Sequence, residues 1–193
     1  MIRIAVLGEI GAGKSHIAKL FGYPVFNADH EVSKLYKKDK KTFNKLKKIL
    51  PKYFISFPIK KSQVSKAILA NRNNLRKIVK IVHLEIRKKM NIFIKKNKNK
   101  KIIILDIPLL LENKINKKND VLIFVKSKRS EILKRLKNRE SFNKKLLNEF
   151  KNIQLPLDYK KKKSTFIIKN NFKKKYIKET IRMLKNRILE NVK

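Results

Sequence analysis

Gly8-Glu9-Ile10-Gly11-Ala12-Gly13-Lys14-Ser15 follows the apolar run Ile2-Arg3-Ile4-Ala5-Val6-Leu7 and precedes His16-Ile17-Ala18-Lys19-Leu20-Phe21, where apolar residues recur at helical spacing. Strand, glycine loop and helix in that order are the setting in which the pattern G-x-x-x-x-G-K-[ST], met here by Gly8, Gly13, Lys14 and Ser15, cradles phosphate. Such a loop must curl so that several backbone N–H groups face one point, which requires dihedrals that a Cβ disfavours. Three of the four glycines in the chain fall within these eight residues. The stretch from Gly8 to His16 is therefore expected to bind the phosphates of a purine nucleoside triphosphate. Lys14 supplies charge at the β/γ bridge, the helix N-terminus adds its dipole, and the Ser15 hydroxyl serves as a Mg2+ ligand.

Working outward, residues 23–29 read as a second strand ending in Asp29, and residues 31–90 as several helices interrupted at Pro51 and Pro58. Ile102-Ile103-Ile104-Leu105-Asp106 and Val121-Leu122-Ile123-Phe124-Val125 are continuous apolar runs, as in parallel strands covered on both faces. A basic amphipathic helical stretch is expected over residues 130–151, with Arg135 and Arg139 on one face. A short strand at 166–168 and a helix over 173–189 close the chain. The alternation predicts an α/β fold: a three-layer phosphate-loop architecture with a parallel sheet and an inserted helical unit. The nucleotide-binding core is expected over residues 1–30, 100–128 and 152–193, the helical insertion over residues 31–99 and a basic helical segment over residues 129–151; the resemblance carried by the motifs below implies that the insertion is a substrate-binding domain and that residues 129–151 are a lid.

Two carboxylates stand out. Asp106, at a strand end, is placed to hold Mg2+ directly or through water, or else to cap the next turn. Asp29, where strand two meets a helix, reads equally as a base for an attacking hydroxyl or as an N-cap. Asn116-Lys117-Lys118-Asn119 lacks the aspartate that a guanine-reading loop needs, which argues against a GTPase.

Composition narrows the setting. A chain of 193 residues fits one α/β domain with insertions. It contains no cysteine, so disulfides and thiolate metal sites are excluded, and a soluble, cytoplasmic protein is expected. Residues 1–7 read as a strand rather than a signal peptide. The formal net charge is +39, but only nine of 53 basic residues are arginine, and lysine is dispersed among Asn and Ile, all amino acids of A/T-rich codons. Codon bias is one account of that charge, needing no selected polyanion; non-specific attraction of polyanions, ATP and other phosphorylated substrates among them, through the summed field is the other. No aromatic-stacking or groove-reading motif supports a nucleic-acid partner; no membrane partner is expected, and the protein should be a monomer or small homo-oligomer.

The ordered set of motifs resembles the dephospho-coenzyme A kinase family through nearly the whole chain. Its elements are the loop Gly8 to Ser15, Asn27-Ala28-Asp29 for Asp-Ala-Asp, His83-Leu84-Glu85-Ile86 for His-Pro-x-Ile, and Pro108-Leu109-Leu110-Leu111-Glu112 for Pro-Leu-Leu-x-Glu. Arg135 to Arg139 with Glu140, then Gln154, then Ile167-Ile168-Lys169-Asn170-Asn171 complete it. The resemblance implies that Asp29 deprotonates the ribose 3′-hydroxyl of dephospho-coenzyme A for attack on MgATP, giving coenzyme A and ADP. It implies charge neutralisation by Lys14 and Arg139, ATP contacts from Arg135 and Asn171, and acceptor contacts from His83, Pro108, Leu109 and Glu112. Leu84, Asn27, Glu9 and Lys61 depart from the family pattern. Another phosphate-loop kinase of a nucleotide or small metabolite is the alternative reading.

Overall fold

The computed structural model describes residues 1–138 and 142–190. Five parallel strands form one sheet: β1 (Ile2–Gly8), β2 (Val25–Asn27), β3 (Ile102–Asp106), β4 (Val121–Lys126) and β5 (Phe166–Lys169), in the order β2-β3-β1-β4-β5. Ile4, Ala5 and Val6 of β1 and Ile102 to Leu105 of β3 have no exposed surface, as expected of strands whose apolar runs do not alternate. Ile2 pairs with Ile102 on one side of β1, and Gly8 with Val125 on the other.

The chain divides into two compact units. The first holds the sheet, with residues 1–27, 97–142 and 154–193. In it α1 (Lys14–Leu20) contacts β1, β2, β3 and α9 (Lys174–Glu190), while α8 (Leu157–Lys163) contacts β1 and β4. Strands run outward from β1 in both directions, so right-handed crossovers put α1 and α8 on opposite faces. The order reverses between β1 and β4, and the carboxyl ends of the strands there are where sheets of this kind bind ligands. At the opposite end, Arg3 makes a bidentate pair with Asp120, Nε to Oδ1 at 2.9 Å and Nη2 to Oδ2 at 3.0 Å, tying the start of β1 to the residue before β4.

The second unit comprises residues 28–96 and 143–153. Its spine is α5 (Arg72–Lys96), which buries Leu75, Ile78, Val82, Ile86 and Met90 at three- and four-residue intervals. Against that stripe lie α2 (Ala28–Lys38), α3 (Lys40–Ile49) and α4 (Lys61–Ala70), and α7 (Lys144–Asn152) packs on α4. The Asp39 and Asn143 side chains accept from Thr42 N–H and Leu146 N–H, starting α3 and α7.

Three local expectations change. The second strand stops at Asn27, and Asp29 lies in the first turn of α2, where a carboxylate is favoured by the helix dipole. Since the helix begins at Ala28, Asp29 is not its N-cap. The basic stretch after residue 129 is two helices, α6 (Arg129–Lys137) in the first unit and α7 in the second. Helix α8 has no counterpart in the sequence reading, because Leu-Asp-Tyr-Lys-Lys-Lys-Lys shows no apolar period.

Candidate active site

The phosphate loop leaves β1 at its carboxyl end and delivers Lys14 and Ser15 to the first turn of α1. Each of its glycines is required by a different neighbour. Gly8 has φ 141°, and a Cβ there would stand 2.6 Å from the Val125 carbonyl oxygen of β4. At Gly11 a Cβ would press on Ile132 and Leu136 of α6 at 3.0 Å. Gly13, at φ 91°, caps α1 in the left-handed region, and Asn170 Nδ2 occupies the space a Cβ would take.

The Ala12 carbonyl is pinned by two donors, Ser127 Oγ at 3.0 Å and Asn170 Nδ2 at 2.8 Å. Ser127 directly follows β4 and Asn170 directly follows β5, so both adjacent strand ends hold this peptide in place. A peptide fixed through its oxygen has its remaining polar direction fixed too, which is the preorganisation a phosphate cradle needs. Lys14 Nζ donates to the carbonyls of Gly8 (3.1 Å) and Glu9 (2.8 Å), lying over the loop it belongs to. Glu9 and Ile10 are half-buried and His16 is exposed on the first turn of α1.

Asp106 closes β3 beside β1, is almost fully buried, and accepts a hydrogen bond from Asn27 Nδ2 on the paired strand β2. Its carboxylate and the exposed Ser15 hydroxyl both belong to the carboxyl edge of neighbouring strands. They are hard oxygen donors of the kind Mg2+ takes. Arg135 of α6 lays its guanidinium over the Phe172 ring at 4.4 Å. Phe172 in turn has its N–H held by Asn170 Oδ1 at 2.9 Å.

The family model for dephospho-CoA kinase matches residues 2–175. The chain belongs to the dephospho-CoA kinase family. It is 35% identical over 179 residues to a dephospho-CoA kinase of Wolbachia pipientis, covering 90% of this chain and 91% of that one. With a Bartonella quintana dephospho-CoA kinase it shares 31% over 170 residues, 86% and 87% of the two chains. Among solved structures, a Thermus thermophilus protein superposes with TM-score 0.74 at 23% identity over 98% of this chain and 97% of that one. A Campylobacter jejuni dephospho-CoA kinase does so with TM-score 0.61 at 21% identity over 99% and 98%. The family is one of kinases that transfer phosphate from ATP.

Family membership gives the remaining residues their context. Glu112, from Pro-Leu-Leu-x-Glu, points into the first unit: Oε1 lies 2.6 Å from Lys160 Nζ of α8 and accepts the Leu155 N–H at 3.0 Å. Lys160 is 1% exposed and also reaches Gln154 Oε1 at 3.5 Å. Leu109 is core, while Pro108 is half-buried. His83 sits half-buried in mid-α5, and with leucine at 84 the helix runs on through Ile86 without a break. Asn171 is exposed, its Oδ1 accepting the Lys173 N–H just before α9, and it is Asn170 that meets the loop. Arg139 and Glu140 lie outside the described residues. Ser127, Phe172 and Lys160 carry no signal in the sequence reading, and Asn170 enters it only within the motif Ile167 to Asn171, although the position immediately after a strand marks both Ser127 and Asn170.

Proposed function

We propose that this chain phosphorylates the ribose 3′-hydroxyl of dephospho-coenzyme A with MgATP, giving coenzyme A and ADP in the last step of coenzyme A biosynthesis. The observation that carries the reading is the pinned phosphate loop within a family match that spans residues 2–175. Loop amides from Gly8 to Ser15 hold the β- and γ-phosphates, and Lys14 exchanges its two loop carbonyls for phosphate oxygens. Ser15 and Asp106 hold Mg2+, which supplies charge neutralisation on the phosphates when bound.

Asp29 is the base. It takes the proton of the 3′-hydroxyl as that oxygen bonds to the γ-phosphorus, and the bond from γ-phosphorus to the β,γ-bridging oxygen breaks, releasing ADP. Its place in the chain, two residues beyond the end of β2, supports that role. Arg139 neutralises charge on the moving phosphoryl group, and Arg135 contacts the nucleotide. His83 and Pro108 serve the acceptor, and Glu112 and Leu109 shape the turn that carries Pro108. Residues 31–99 bind the acceptor and residues 129–151 act as lid. A soluble cytoplasmic enzyme, monomeric or a small homo-oligomer, fits this activity, and no helix among the described residues is long and apolar enough to cross a membrane.

ADP release should be measured with dephospho-coenzyme A and, in parallel, with AMP, dTMP and shikimate as acceptors. Turnover confined to dephospho-coenzyme A is expected. Turnover with AMP and none with dephospho-coenzyme A would transfer the protein to another acceptor.

A further inference from the structure

Asn27 and Asp106 are register partners in the parallel pair of β2 with β3, so their side chains stand on one face of the sheet. Asp106 directly follows Leu105, which pairs with Ala5 of β1, the strand that feeds the phosphate loop. It is 3% exposed, and a carboxylate so deeply placed keeps its charge only where donors or a cation meet it. Asn27 Nδ2 donates to Asp106 Oδ2. An ionised carboxylate only accepts, so the bond decides which way the Asn27 amide is turned. With Oδ2 tied, rotation of the carboxylate about its last side-chain bond is restricted, and the direction of Oδ1 is set as well. The donor is neutral and leaves the negative charge of Asp106 whole. An aspartate at position 27, as in Asp-Ala-Asp, would instead bring two carboxylates together, and neither could donate to the other while both are ionised.

We propose that Asn27 is a positioning residue for the divalent ion of the reaction: its amide holds the Asp106 carboxylate in one orientation, and that orientation strengthens Mg2+ binding alongside the nucleotide. The assignment rests on Asp106 as a metal-holding group. A hydrogen bond to a ligating carboxylate typically contributes a factor of about 10 or more in metal affinity, because the ligand no longer has to be ordered when the ion arrives. The departure at position 27 thereby has a physical role. One oriented carboxylate, with the Ser15 hydroxyl and the nucleotide phosphates, suits an ion that is usually held by one or two carboxylates together with its substrate.

Equilibrium binding separates this role from simple support of the strand end. The β,γ-imido analogue of ATP, which is not turned over, should be titrated by calorimetry in excess Mg2+ and again in EDTA. The ratio of the two dissociation constants is the contribution of the metal. N27A removes the amide, and N27L removes it while keeping the bulk of the side chain at the end of β2. Both should lower the ratio about tenfold and leave the dissociation constant in EDTA at the wild-type value. D106N should lower the ratio at least as much, and N27A/D106N should lower it no further than D106N alone. A ratio unchanged in N27A and N27L but lowered in D106N would overturn the role of Asn27 and leave Asp106 as the metal group. Equal weakening with and without Mg2+ would reduce Asn27 to a prop of the fold. A ratio unchanged in D106N would remove Asp106 from the metal, and the proposal with it. None of these readouts requires turnover, so they stand apart from the identity of the acceptor.

Discussion

Lys160 Nζ lies 2.6 Å from Glu112 Oε1, with the two side chains 1% and 9% exposed. In the run Lys160-Lys161-Lys162-Lys163 the other three lysines are exposed. The pair joins the turn after β3 to α8, and Glu112 also takes the Leu155 N–H, where the chain re-enters the first unit after α7. Removing one charge from a buried pair leaves the other uncompensated. K160M should therefore cost about 3–5 kcal/mol in urea unfolding, and K160M/E112Q should recover much of that loss. A K160M protein as stable as the wild type would mean that the pair is dispensable.

Asn170 and Asn171 make opposite predictions despite their adjacency. N170A frees the Ala12 carbonyl from one donor and the Phe172 N–H from its acceptor, so it should lower stability by about 1–3 kcal/mol and weaken ATP binding. N171A removes only an acceptor for the Lys173 N–H, worth about 1 kcal/mol or less, and should bind ATP like the wild type. Thermal melts and ATP titration of both variants check this. The reverse order of effects would make Asn171 the nucleotide-side residue.

Asp29→Asn keeps shape and helix position while removing the carboxylate proposed as proton acceptor. Turnover with dephospho-coenzyme A should fall by a factor on the order of 10² or more with ATP affinity nearly intact. Steady-state kinetics beside ATP titration would test it, and full activity in D29N would remove Asp29 from the mechanism.

Burial pushes the Tyr36 hydroxyl from 10.0 up to about 12. Between those values the unfolded chain has lost the phenolic proton while the folded one keeps it. Folded stability therefore falls as pH rises from 10 to about 12, and the contribution is intact below 10. Y36F has no proton to lose, so its stability should decline less steeply over that window. Identical slopes for the two proteins in alkaline unfolding would contradict the shift.

Much of the scaffold was legible in the chain. The runs at 102–105 and 121–125 are apolar without alternation, the mark of strands covered on both faces, and they lie in β3 and β4. The helical spacing over residues 31–90 belongs to several helices, of which α5 carries the longest buried stripe, but the spacing alone did not separate α5 from its neighbours. The break between α6 and α7 was less visible because basic and apolar residues continue across it. The end of β2 was misplaced because Ala28 and Asp29 extend a strand-like run that only pairing with β3 terminates at Asn27.

The sequence by itself determined the parallel α/β sheet, the phosphate loop and its lysine, because these depend on local periodicity and on glycines whose dihedrals a Cβ forbids. Only the tertiary structure decided that Asn170 rather than Asn171 meets the loop, that Lys160 alone of four lysines is buried, and that Arg135 rests on Phe172. Each depends on a partner far away in the chain, 158 residues in the case of Asn170 and Ala12. A contact of that kind leaves no period in the sequence, and identical neighbours are told apart only by which one the fold turns inward.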